Sequence, residues 1–143
     1  MITFESVYRS REHILTLYDL LKERTPEQSI SHKEMPTMQA HQKFVYSQPY
    51  FLCNIIKDEE GKSIGSIYLT HQREVGIFIF EKYQRKGYAE QAIKLLMSIC
   101  PGRILANVNP ENNKSINLFK KLGAKHIQNT YELDGITWTD RDL

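Results

Sequence analysis

Apolar and polar positions change period several times along this chain, and each change marks an element. Ile2 to Tyr8 alternates loosely and is rich in strand formers. Ile14, Leu17, Tyr18 and Leu21 then fall on one helical face, with Ser10 placed to cap the helix and Thr25-Pro26 to end it. A polar, irregular stretch leads to Pro36-Thr37, which opens a shorter helix through Ser47 on which His41, Phe44 and Val45 share a face. Gln48-Pro49 breaks that helix. Three strand patterns follow, Tyr50 to Lys57, Ser63 to Thr70 and Glu74 to Phe80, joined by the turns Asp58-Glu59-Glu60-Gly61 and His71-Gln72-Arg73. Ala89, Ala92, Ile93, Leu96 and Cys100 recur at helical spacing until Pro101-Gly102 stops the chain. Arg103 to Val108 reads as a short, mostly buried strand, and Asn109-Pro110-Glu111-Asn112 leads into a helix to Leu122 with Gly123 as its C-cap. His126 to Leu133 and Ile136 to Thr139 flank Asp134-Gly135, a two-residue hairpin signal.

Three hairpin-linked strands followed by strand–helix units predict an α/β fold: a mixed, mainly antiparallel central sheet of about seven strands with helices on both faces. No linker, repeat or low-complexity segment divides the 143 residues, so the expectation is one domain over 1–143. Nineteen basic and seventeen acidic residues are interspersed and leave only +2, which is no footprint for nucleic acid or a membrane surface. No apolar run approaches the roughly 20 residues of a membrane helix, and the N-terminus shows no signal-peptide pattern. Cys53 and Cys100 make no disulfide framework and no histidine pair has ligand spacing, so no metal is expected and the location expected by default is cytoplasmic.

The stretch Gln84-Arg85-Lys86-Gly87-Tyr88-Ala89 carries the first chemistry. It joins a strand pattern to a helix start, where free N–H groups and the helix dipole bind phosphate oxygens. Gly87 removes a Cβ from the approach, and Arg85 and Lys86 add positive charge. The second glycine and hydroxyl of a P-loop are missing, as are two of the three glycines of a dinucleotide fingerprint. The segment resembles instead the Gln/Arg-x-x-Gly-x-Gly/Ala signature of the GNAT N-acetyltransferase superfamily, with Gln84, Gly87 and Ala89 on the signature positions. A second stretch, Asn107 to Gly123, resembles that family's closing helix motif through Pro110-Glu111-Asn112, Ser115 and Leu122-Gly123. The element order is also the family's order.

The resemblance implies that acetyl-CoA is the cosubstrate. Its pyrophosphate would lie on the amides of residues 84–89, with Asn112, Ser115 and Phe119 alongside the pantetheine and phosphates. The thioester carbonyl would meet a backbone N–H near Phe78, Ile79 and Phe80, where the fourth and fifth strands splay apart, the phenylalanine side chains themselves being core. Many relatives carry a tyrosine where Phe119 stands, and its phenol protonates the leaving thiolate; Phe119 has no proton to give. The Gly-Phe usual after the closing helix is here Gly123-Ala124.

Acetyl transfer also needs a group to take the ammonium proton. Glu74, on one strand face with Gly76 and Phe78, is the first candidate, and a solvated strand end is the alternative reading. His41, on the inner face of the second helix, is the runner-up; a satisfied, half-buried histidine is its alternative. Tyr68 and Tyr83 could line the acetyl or acceptor pocket. Ile30-Ser31-His32-Lys33-Glu34 and His41-Gln42-Lys43-Phe44-Val45 resemble a segment of enzymes that acetylate nucleotide-linked amino sugars. A small-molecule amine acceptor is therefore expected, with a protein N-terminus as an alternative. A different class also stays open: an acyl-CoA sensor or assembly module without turnover. A homodimer is compatible with all of these.

Overall fold

The computed structural model describes residues 1–24 and 34–135. Its elements run β1 (Thr3–Ser6), α1 (Arg11–Glu23), α2 (Met38–Tyr46), β2 (Leu52–Lys57), β3 (Ser63–Leu69), β4 (Glu74–Ile79), α3 (Tyr88–Ile99), β5 (Leu105–Ala106) and α4 (Asn113–Lys121). Local chemistry sets the helix starts. Ser10 Oγ accepts the Glu12 N–H at 3.1 Å and Thr37 Oγ1 accepts that of Ala40 at 3.1 Å, each satisfying a donor the helix cannot. Gly123, at φ 84°, ends α4 in the left-handed conformation; its N–H donates to Lys120 O and that of Ala124 to Phe119 O.

The sheet order is β1-β2-β3-β4-β5, antiparallel through β4, with β5 parallel to β4. Between β2 and β3 the register passes from Ile56↔Gly65 to Lys57↔Ser63, which leaves Ile64 as an extra, bulged residue. The bulge lets Ile64 join Ile67 and Leu69 on one face, where with Ile56 they pack under Ala92, Ile93 and Leu96 of α3. The opposite face buries Cys53 and Ile55 against Val7, Ile14 of α1 and Val45 of α2. Helices therefore cover both faces, as the sequence predicts, and each fully buried isoleucine contributes about 2 kcal/mol.

The strand count is lower than expected: five among the described residues rather than about seven. β5 is confined to Leu105–Ala106 instead of 103–108, and His126 to Leu133 runs as irregular chain. Alternation puts side chains on two faces, but a strand exists only where its N–H and C=O groups find a ladder partner. A two-residue β5 offers little edge to pair with. Tyr131 and Leu133 accordingly stay 84% and 92% exposed. The expected strand at 136–139 lies outside the described residues. The turn before β4 also anchors the end of α3. Arg73 Nε donates to Arg103 O at 2.8 Å, and Arg73 Nη2 donates to Cys100 O at 2.9 Å and Pro101 O at 3.1 Å.

Candidate active site

The two edges of β4 differ. On one edge Thr70 N–H donates to Glu74 O at 2.9 Å and Phe80 N–H donates to Ile64 O at 3.0 Å. Hydrogen-bonded pairs alternate in an antiparallel ladder, so residues 74, 76, 78 and 80 turn their backbone groups toward β3. The odd residues face β5, whose pairing stops after Glu74↔Leu105 and Val75↔Ala106. The N–H groups of Ile77 and Ile79 thus emerge where the strands have parted. Of the three residues expected there, Ile79 fits; the Phe80 N–H is spent within the sheet and Phe78 directs its backbone to β3. Nor is the Phe78 side chain simply core, because its ring lines the cleft under a guanidinium.

Beyond β4 the chain turns through two left-handed residues, Arg85 at φ 66° and Gly87 at φ 81°. Such turns gather successive N–H groups into a concavity suited to an anion. Gly87 is the N-cap of α3 and supplies no side-chain cap, so the first-turn donors at Tyr88 and Ala89 are left for a ligand. A Cβ built on Gly87 meets nothing within 4 Å: the approach is open space. Gln84 holds the turn in place. Its Nε2 donates to Ile79 O at 2.9 Å, and its Oε1 accepts from Lys114 Nζ of α4 at 3.3 Å. Asn112 caps α4, accepting the Ser115 N–H at 3.2 Å. Glu90, in the first turn of α3, pairs with Lys121 at 2.9 Å and Lys94 at 3.1 Å, which holds its carboxyl below the usual carboxylate range. These features fit a diphosphate at the α3 N-terminus, the part of acetyl-CoA that the resemblance places there.

A cleft of ≈ 1900 Å³ runs across the open edge of β4, from the end of α1 to the start of α4. It is about twice the ordinary upper size for a small-ligand pocket, so a long ligand and a second substrate both have room. Glu74, Phe78, Ile79, Gln84, Arg85, Gly87, Tyr88, Ala89, Asn112, Ser115 and Phe119 all line it. Phe80 and Lys86 do not. Phe119 also packs against the core beneath α3.

Glu74 stands at the start of β4, half-buried, and its carboxylate accepts a hydrogen bond from Asn107 Nδ2. His41 is elsewhere, and the expectation that it serves as a base is corrected on two grounds. It is 5% exposed between α1 and α2, outside the cleft lining, and its ring stands 5.2 Å from that of Tyr18. Its Nε2 lies 3.0 Å from Ile14 O; a carbonyl only accepts, so Nε2 carries the proton and donates. Burial lowers its pKa, the Ile14 contact opposing in part. The unfolded chain therefore takes up a proton there more readily than the folded one, and stability is lost as pH falls below about 6.5. His41→Gln keeps an N–H near Ile14 O without titrating, so its stability will fall less steeply in acid; chemical denaturation across that range checks it.

On the α1/α2 face of the sheet, Tyr50 and Tyr68 stack at 4.0 Å with 7° between planes. Gly76 makes this possible, since a Cβ there would sit 2.2 Å from the Tyr68 ring. Burial raises the pKa of both phenols, which stay protonated at neutral pH. Tyr68 and Tyr83 line the cleft as the sequence suggests. Sequence reasoning gave no role to Arg24, Tyr50, Asn107 or Lys114. Asn107 and Lys114 lie within the second motif stretch and could have been flagged there. Arg24 and Tyr50 have no local signal, because only folding carries Arg24 to Phe78 of β4 and Tyr50 to Tyr68 of β3.

Among solved structures, a domain from Methanocaldococcus jannaschii DSM 2661 is 20% identical, with 92% of this chain and 93% of that chain covered and a TM-score of 0.71. Dodecameric spermidine N-acetyltransferase from Vibrio cholerae is 20% identical over 94% of this chain and 86% of that chain, at a TM-score of 0.65. A protein assigned as a phosphinothricin N-acetyltransferase is 17% identical, covering 85% and 82%, at 0.66. No curated protein sequence matches the chain. These likenesses establish the fold. A model of the acetyltransferase (GNAT) domain matches residues 6–125, most of the chain, and with the splayed β4 edge and the uncapped α3 start already in view, the protein belongs to the GNAT acetyltransferase family.

Proposed function

We propose that the protein transfers an acetyl group from acetyl-CoA to the amine of a small molecule, with both bound together in the cleft. One observation carries this reading: the uncapped α3 N-terminus behind left-handed Gly87 opens on the same cleft as the unpaired edge of β4. When bound, acetyl-CoA supplies a thioester, whose C–S bond is exchanged for a C–N bond to the amine, giving an amide and the free thiol.

The chain's own residues then divide the work. The Tyr88 and Ala89 amides, with Arg85 nearby, hold the diphosphate. Ile79 N–H, or Ile77 N–H beside it, hydrogen-bonds the acyl oxygen; such a donor in a dry site is worth about 3 kcal/mol. Glu74 takes the ammonium proton, directly or through a water, with Asn107 fixing its orientation. Phe119 offers no proton at the cleft wall, so the sulfur departs as thiolate. The 1–143 chain acts as a single domain in this reading.

The test is release of free thiol when protein and acetyl-CoA meet a panel of small amines, amino sugars and peptides. Turnover with a small amine is the expected result. Coenzyme binding with no thiol released across the panel overturns it in favour of the sensor, the reading to which Phe119 lends weight.

A further inference from the structure

Arg24 follows α1 directly and reaches over β4. Its guanidinium carbon stands 3.6 Å from the Phe78 ring centroid, a close stacking contact on the face that also carries Glu74 and Tyr68. The Nε is buried and has no hydrogen-bond partner among the described residues. None of the ion pairs among them includes Arg24. Two carboxylates that line the same cleft are engaged elsewhere: Glu23 Oε1 accepts the Glu81 N–H at 2.8 Å, and Glu74 is held by Asn107. The stacked phenols of Tyr50 and Tyr68 complete the surroundings and bring no formal charge.

A guanidinium carries five donors in a planar fork that fits an oxyanion on two atoms at once. A buried Nε with no partner among the described residues is costly, and native structures seldom leave one so without a use for the group. Arg24 lines the cleft, so a ligand in the cleft can reach it. Phe78, beneath it, lies one residue from both Ile77 and Ile79, about 3.3 Å along the strand. A charge placed there is within a small molecule's length of the amides proposed to hold the acyl oxygen. A polyamine would instead bring further positive charge against a guanidinium that has no ion pair among the described residues, an arrangement that discriminates against it.

We infer that the acceptor is an amine that also carries a carboxylate or comparable oxyanion, and that Arg24 pairs with that anion. The inference rests on the acetyl-transfer reading above. Its test compares matched acceptors differing only in the acid: L-alanine against ethylamine, L-phenylalanine against phenethylamine, 4-aminobutyrate against propylamine, with spermidine as the polycation. kcat/KM is taken from thiol release for the full chain and for Arg24→Gln and Arg24→Lys, with acetyl-CoA affinity by calorimetry reporting whether each variant is folded. The wild type should favour at least one acid-bearing member over its partner by about tenfold or more. Arg24→Gln should bring that ratio close to one through a raised KM for the acid, while Arg24→Lys retains part of it. A wild-type preference for spermidine or the acid-free amines, or a ratio unmoved in folded Arg24→Gln, overturns this inference and leaves acetyl transfer standing. Absence of thiol release with every acceptor overturns both.

Discussion

Replacing Gly87 with valine will weaken acetyl-CoA binding by about 100-fold or more, with the fold retained. Two effects combine. Gly87 sits at φ 81°, where a β-branched residue is strained by about 1–2 kcal/mol, so the turn will relax toward negative φ and re-aim the amides that follow. A branched side chain would also project into the open approach, where no protein atom now stands within 4 Å. Losing two charge-assisted hydrogen bonds at about 1.5–3 kcal/mol each is enough for the stated change. Calorimetric titration measures it, and circular dichroism and melting show whether α3 persists. Gly87→Ala should do less, because alanine tolerates the left-handed region better and adds one methyl. Affinity unchanged in the valine variant would remove the phosphate seat from this turn.

Glu74→Gln should lower kcat by about 100-fold or more while coenzyme affinity stays near wild type. At pH 7 an amine with a pKa near 10.4 is almost wholly protonated, so acetyl transfer must dispose of a proton before nitrogen can attack. Glutamine keeps the length of Glu74 and can still accept from Asn107 Nδ2, so orientation survives while basicity is lost. The rate that remains should depend on pH through the amine's own deprotonation. A wild-type rate and profile in Glu74→Gln would return Glu74 to a solvated strand end. His41 is buried outside the cleft lining, whereas Glu74 lines the cleft.

Much of the frame was legible in the residues because it depends on near neighbours. Ser10, Thr37 and Asn112 were readable as helix openers, and Gly123 as a stop, since a cap acts within a few residues. The Gln84–Ala89 turn was readable for the same reason. The strand expected over His126 to Leu133 was not: the alternation there reports local preference, whereas a strand needs a partner edge from elsewhere. His41 misled by its helical face. Periodicity put it inward, but whether inward meant the cleft or the α1–α2 seam depended on how the helices lie together.

By itself the sequence determined the element order through β5 and α4, the glycine turn that opens α3 and the missing phenol at Phe119, all set by side-chain type and short-range spacing. Tertiary structure alone decided which β4 amides face the gap, that Glu74 meets Asn107, and that Arg24 covers Phe78 with no ion pair among the described residues. The Glu74–Asn107, β4–β5 and Arg24–Phe78 contacts join residues more than 30 positions apart in the chain; register and packing make them, and no local pattern encodes them.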